Sequence, residues 1–235
     1  MHNPITHPYH GLLSRCRGNV IFLNSNLFIR VFTYHFDHAL DVDMMLRIIR
    51  IFECYLNKVE TERIILRPWR DDDAETLLKW ASDPELGPRA GWPPHKSVEE
   101  SLHVIRTIFS GEGMWAVELK ETGEAIGCVG YLTASQSNLK IAEDECEVGY
   151  WIARPYWDRG ICTEAMSLVI EFCIREKGFK VLWGSFFPSN PASGRVMEKC
   201  GFIDTGVEVL CPNLEVGADK PVRVLKLEAF SINAS

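Results

Sequence analysis

Val148-Gly149-Tyr150-Trp151-Ile152-Ala153-Arg154-Pro155-Tyr156-Trp157-Asp158-Arg159-Gly160-Ile161-Cys162-Thr163-Glu164-Ala165 is the most informative segment of the chain. Its apolar opening reads as a strand, its Pro- and Gly-bearing middle as a tight loop, and its end as the start of a helix. A helix start leaves backbone N–H groups without partners and carries the positive end of the helix dipole, so it is a ready anion site. Gly160 lets the backbone approach a ligand closely, and Arg159 adds positive charge. A phosphate-bearing ligand fits these residues. An ordinary strand-to-helix turn with a capping glycine fits them too, and both readings stand at this point.

Working outward, strands are expected at 62–69, 114–120, 125–133, 145–152, 181–186, 203–210 and 222–227. Glu121-Thr122-Gly123-Glu124 makes a hairpin turn between two of them. Helices are expected at 71–82, from Ser97 onward, at 160–177 and at 190–199. The first has an acidic opening turn and apolar Ala74, Leu77, Leu78 and Ala81 on one stripe. Ser97 with Glu100 forms a capping box, and Asn190 with Pro191 forms a helix opening that closes at Gly201. A Gly- and Pro-rich loop spans 84–94. Strands and helices intermix around a hairpin run, which predicts one mixed α/β domain over residues 59–235.

Residues 1–58 differ in kind. They hold five of the seven histidines and six basic against four acidic residues, whereas 59–235 carry 19 basic against 28 acidic. Residues 45–56 have the spacing of a short basic amphipathic helix, and the segment as a whole reads as an atypical, weakly ordered extension. The whole chain of 235 residues has a net charge of −7, with 46% hydrophobic and 24% charged residues. That composition excludes collagen-like and wholly disordered classes and disfavours nucleic-acid binding, which rests on neutralising phosphates. No run of 18 apolar residues is present, so no membrane span is expected. The eight dispersed cysteines form no CxxC pair, which predicts reduced thiols in the cytoplasm and no metal site.

Other phosphate motifs fail. There is no GxxxxGK[ST] loop, and Gly111-Glu112-Gly113-Met114-Trp115-Ala116 precedes a strand where a dinucleotide-binding turn would open a helix.

Residues 156–165 resemble the acetyl-CoA loop of the GNAT acetyltransferase superfamily. Asn190-Pro191-Ala192-Ser193-Gly194-Arg195-Val196-Met197-Glu198-Lys199-Cys200-Gly201-Phe202 resembles its second motif. Glu60-Thr61-Glu62-Arg63-Ile64-Ile65-Leu66-Arg67-Pro68 looks like the opening strand of the branch that includes the ribosomal-protein (Rim-type) N-acetyltransferases. Together the motifs cover essentially residues 59–235. The resemblance implies an α/β (α+β) fold: a strongly bent mixed sheet, splayed in the middle and flanked by helices.

The same resemblance implies acetyl-CoA as co-substrate, no metal, and direct transfer to a primary amine, a protein N-terminus or a small molecule. It implies that backbone groups of Trp151, Ile152, Ala153 and Arg154 pair with the pantetheine arm. N–H groups of Arg159, Gly160, Ile161, Cys162 and Thr163 would hold the pyrophosphate, and Asn190 would touch the pantetheine or orient the acetyl group, as well as or in place of capping its helix. Glu147 is the expected base, with Glu145 as its rival on the same strand face. The tyrosine that many relatives use as acid is replaced by Met197, which leaves Ser193, a water or no acid at all for that role. Trp69, Trp92 and His95 are expected to line the acceptor site.

Three departures stand out. Trp157 takes the first place of the loop pattern, Asp158 sets a carboxylate beside the expected pyrophosphate, and Cys162, at a helix N-terminus, replaces a small residue. Asp158 and the missing tyrosine at Met197 keep a CoA-binding sensor without turnover in view, and residues 1–58 keep a non-enzymatic scaffold whose N-terminal segment recruits a partner. A monomer or homodimer is expected. Because relatives open near Met-Glu-Thr-Glu-Arg, the native protein is expected to begin at Val59.

Overall fold

In the computed structural model, residues 19–21, 31–33 and 59–229 are described. The chain divides into two units, Met1–Glu53 and Cys54–Ser235. In the first, strand β1 (Asn19–Ile21) pairs antiparallel with β2 (Val31–Thr33). The amphipathic helix expected at 45–56 lies outside the described residues.

Among its described residues, the second unit has eight strands: β3 (Val59–Glu60), β4 (Ile64–Arg67), β5 (Met114–Leu119), β6 (Ala125–Thr133), β7 (Glu145–Ile152), β8 (Val181–Phe186), β9 (Ile203–Asn213) and β10 (Ala218–Glu228). They form one open sheet in the order β3-β4-β5-β6-β7-β8-β10-β9. Every pairing is antiparallel except that of β7 with β8. A parallel neighbour needs a crossover, and helix α4 (Ile161–Arg175) supplies it. The other helices are α1 (Ala74–Ala81), α2 (Gly87–Ala90), α3 (Val98–Thr107) and α5 (Pro191–Lys199). This mixed α/β sheet flanked by helices is the fold class the sequence predicts.

Side-chain alternation along the strands divides the core into layers. Cys146, Val148 and Ile152 of β7 pack against Ile161, Ala165, Met166 and Val169 of α4. Trp151, on the opposite face, packs with Ala74, Leu77 and Ala81 of α1, Ile105 of α3 and Trp69. A third cluster joins Leu139 to Cys211, Val222 and Val224, with Trp183 and Phe187 beside it.

Two expectations are corrected. The loop at 84–94 contains α2, a single turn with Pro88 in its first positions and Gly91 closing it at φ 92°. The last two strands run beyond 203–210 and 222–227, meeting in a long hairpin. Pro212 and Pro221 argue against those extensions in sequence, since proline cannot donate to a ladder. Pro212 is tolerated because β9 is the sheet's edge. Pro221 is tolerated because β10 pairs with β8 only over residues 223–228, leaving one side of Pro221 without a strand neighbour.

Candidate active site

The sheet opens between β7 and β8. Their register runs from Glu145 opposite Val181 to Val148 opposite Gly184 and then stops, while both strands continue. The phase of β7 is fixed at both ends. Ala153 N–H donates to Ile126 O on the β6 side at 2.8 Å, and Asp144 O accepts from Lys180 N on the β8 side at 2.9 Å. Odd-numbered residues of β7 therefore address β6, and even-numbered residues address the opening. Gly149, at the point of divergence, is exposed and has open space where a side chain would stand.

This phase redistributes the expected pantetheine contacts. Tyr150 presents its N–H and C=O to the opening, and Ile152 presents its N–H. Ile152 O is already used, because Trp157 Nε1 donates to it at 2.6 Å. Trp151 turns its backbone groups toward β6. Ala153 is fully buried, with its N–H spent on Ile126. Arg154 opens the 3-10 turn Arg154–Tyr156, and its guanidinium is held by Asp83 at 2.7 Å. Of the four residues expected there, only Ile152 offers a free strand-edge donor.

The loop that follows is shaped by two left-handed residues, Asp158 at φ 59° and Gly160 at φ 75°. Alternation through such conformations turns successive N–H groups to one side. The N–H groups of Arg159, Gly160, Ile161, Cys162 and Thr163 have no hydrogen-bond partner among the described residues, and they sit at the positive end of α4. Arg159 is exposed, with its guanidinium 5.5 Å from the Tyr156 ring centroid. At Cys162 the helix start is opposed by burial, which pushes the thiol's pKa up.

Helix α5 forms the other wall. Asn190 occupies the N-cap position without capping: its Nδ2 donates to Arg89 O on α2 at 3.1 Å. Ser193 Oγ lies 3.0 Å from Tyr150 Oη, and the Tyr150 hydroxyl donates to Ser193 O at 2.6 Å. A tyrosine of β7 is thus tied to the first turn of α5 across the opening. Burial holds its phenol well above the ordinary tyrosine value. Met197, where many relatives carry a tyrosine, is fully buried, and its Sδ fills the space over Gly184.

On the opposite face of β7, Glu147 is half-buried between two hydroxyls. Ser137 Oγ donates to its Oε2 at 2.6 Å, and Ser185 Oγ donates to its Oε1 at 2.9 Å. Glu145 is engaged otherwise, by Trp183 Nε1 at 2.8 Å and Ala142 N–H at 3.0 Å. Ser137 and Ser185 come from separate segments and are not prominent in the sequence. Further along the face, Trp92 lies 6.2 Å from Trp151 and 5.5 Å from His95, so two of the expected acceptor residues meet beside the end of β7. His95 Nδ1 is 2.9 Å from Ser101 Oγ, and burial pulls its pKa down despite the opposing charge of Glu100. Trp69 is only 8% exposed and stacks on Phe109 at 4.9 Å, so it supports this wall from beneath. Among the described residues no cluster of three His, Cys, Asp or Glu side chains could hold a metal ion, and no helix is long and apolar enough to cross a membrane.

Residues 63–203 match the family described as Acetyltransferase (GNAT) domain. The chain is 30% identical over 154 residues to the uncharacterized N-acetyltransferase YoaA of Bacillus subtilis, covering 63% of this chain and 84% of that protein. Its fold is similar to a putative ribosomal-protein-serine acetyltransferase from Vibrio cholerae, with TM-score 0.60, 22% identity and coverage of 73% and 97%. It is also similar to Mycobacterium smegmatis RimJ, solved in complex with CoA-disulfide, with TM-score 0.58, 20% identity and coverage of 72% and 83%.

Proposed function

Because the chain belongs to the GNAT acetyltransferase family and is an acyltransferase, we propose that it moves an acetyl group from acetyl-CoA to a primary amine by direct attack. One observation carries this reading: the open edge of β7 beyond Val148 leads to five consecutive N–H groups at the start of α4 that have no partner among the described residues. A strand edge suits the amides of a pantetheine arm, and the helix start suits a diphosphate.

Acetyl-CoA supplies an activated acyl group, and the chain's residues supply position and proton transfer. Glu147 takes the amine's proton as the N–C bond forms and the C–S bond breaks. Ser137 and Ser185 hold its carboxylate, and its place two residues before Gly149, where the sheet opens, supports Glu147 over Glu145 as the base. Ser193, oriented by Tyr150, hydrogen-bonds to the departing thiolate from the α5 side and relays to it a proton taken from water. Trp92 and His95 wall the acceptor side, with Trp69 behind them. Asn190 links α5 to α2 through one Nδ2 hydrogen on Arg89 O, which leaves its Oδ1 and second Nδ2 hydrogen for the ligand.

The acceptor is a small-molecule amine or a protein N-terminus, and pocket shape decides between them. We place the reaction in the cytoplasm and the activity in residues 59–235, with residues 1–58 dispensable.

A thermal-shift comparison of acetyl-CoA, NAD and ATP on the full chain tests the donor. At roughly 100 times its Kd a ligand stabilises the fold by about 2.7 kcal/mol. Stabilisation by acetyl-CoA alone, followed by CoA thiol release with a panel of polyamines and short peptides, is the expected result. Binding without release for any amine would favour the sensor reading, and no binding would favour the scaffold.

A further inference from the structure

The diphosphate loop is not held by α4 alone. Arg63, in the turn that joins β3 to β4, reaches it from the far end of the sheet. Its Nη1 donates to Arg159 O at 3.0 Å, and its Nε and Nη2 both donate to Glu164 Oε2, the first at 2.8 Å. Thr61 Oγ1 donates to the other Glu164 oxygen. The turn beneath is itself pinned. Thr61 N–H donates to Ile64 O at 3.0 Å, and Arg63 O accepts from Lys120 N at 2.9 Å. Gly160 faces this arginine: Nη2 is the nearest heavy atom, 3.9 Å from where a Cβ would stand.

Two consequences follow for the loop. A trans peptide unit points its C=O and N–H in opposite directions. Holding the Arg159 carbonyl toward Arg63 therefore turns the Gly160 N–H away from it, into the row of donors without partners. Glu164 meanwhile lies in the first turn of α4, where a carboxylate stabilises the helix but repels an anionic ligand. A guanidinium clamped on that carboxylate cancels its charge while leaving the N–H groups bare.

We propose that Arg63 is a positioning residue for the diphosphate of acetyl-CoA, acting by orienting the Arg159–Gly160 peptide and by neutralising Glu164. The inference rests on the acetyl-CoA reading above.

The test is calorimetric titration of the full chain with acetyl-CoA. R63A is expected to weaken binding by about tenfold, the scale of one charge-assisted contact. R63K keeps the charge without the planar fork and is expected to lose about threefold. E164Q alone is expected to stay within about threefold of the parent, since Arg63 still holds Arg159. The deciding readout is R63A/E164Q. Once the uncompensated carboxylate is gone, it should bind more tightly than R63A, by about threefold. A residue with a merely structural role predicts the reverse, a double variant as weak as R63A or weaker, and that result overturns the proposal. So does wild-type affinity in R63A or, should R63A fail to fold, in R63K. Failure of the parent protein to bind acetyl-CoA at all would overturn the donor reading itself and is distinguishable from every variant effect.

Discussion

Asp73→Ala is expected to be among the most damaging single changes in the second unit. Arg67 and Asp73 are 6% and 7% exposed, at the junction of β4 with the turn leading into α1. Two parallel bonds join them, Nη1 to Oδ2 at 2.7 Å and Nη2 to Oδ1 at 2.8 Å. Arg67 Nε donates to Glu118, Nη1 also reaches Pro68 O at 3.0 Å, and Asp73 Oδ2 accepts the Arg70 N–H at 2.9 Å. Burial alone would lower the Arg67 pKa, but the two carboxylates outweigh it and push it well up. Removing Asp73 leaves a buried guanidinium with one carboxylate and strands the Arg70 N–H. Breaking a buried pair from one side costs about 3–5 kcal/mol, and the surviving Glu118 contact places the loss near the lower end. With a urea m-value of about 2 kcal/mol/M, the unfolding midpoint should fall by roughly 1.5 M. Urea titration followed by tryptophan fluorescence and circular dichroism reads this directly. The triple change R67M/D73A/E118Q removes every charge and should recover about half of the loss, because neutral replacement of a buried network is far less harmful than orphaning one member. A loss below about 1 kcal/mol for D73A, or a triple variant worse than D73A, would refute this account of the junction.

Gly160→Ala forces a side chain into the left-handed region at φ 75°. It should lower stability by about 1–2 kcal/mol and weaken acetyl-CoA binding, both visible in one thermal-shift series. Glu147→Gln should lower kcat by about 100-fold or more with acetyl-CoA affinity unchanged; equal kcat would remove it as the base. Because burial holds the His95 pKa below its ordinary value, the unfolded chain takes up a proton that the folded chain refuses. Stability should therefore fall as pH drops below about 6.5. His95→Asn should flatten that part of the profile relative to the parent, as read from urea midpoints between roughly pH 7 and 5.

The sheet's middle is legible in the sequence because its signals are local. β6, β7 and β8 end where the reading places them, each bounded by turn or charged residues. α2 is not legible, since a single turn containing Gly87 and Pro88 has the composition of a loop. The extended hairpin is hidden by prolines whose tolerance depends on which strand lies beside them. At the candidate site, the glycine loop and Glu147 stand out by residue type and spacing. The partners that give them geometry are not. Tyr150 and Ser193 stand 43 positions apart, Glu147 and Ser185 stand 38 apart, and Arg63 reaches Glu164 across 101. Such pairs exist only once the strand order is known. Asn190 shows the converse. Its sequence position is that of a helix cap, yet its side chain is drawn to a carbonyl on α2.

The place of β10 in the sheet bears on how the protein is made. It is the last strand of the sheet in chain order, yet it lies inside, between β8 and β9. While the chain leaves the ribosome, β7, α4, β8 and α5 around the opening are complete before the strand that covers β8 exists. Until residues 223–228 emerge, β8 is a bare edge able to pair with another nascent chain. The interval between the synthesis of Phe186 and that of Glu228 is thus when this fold is most exposed to chaperones and to misassembly.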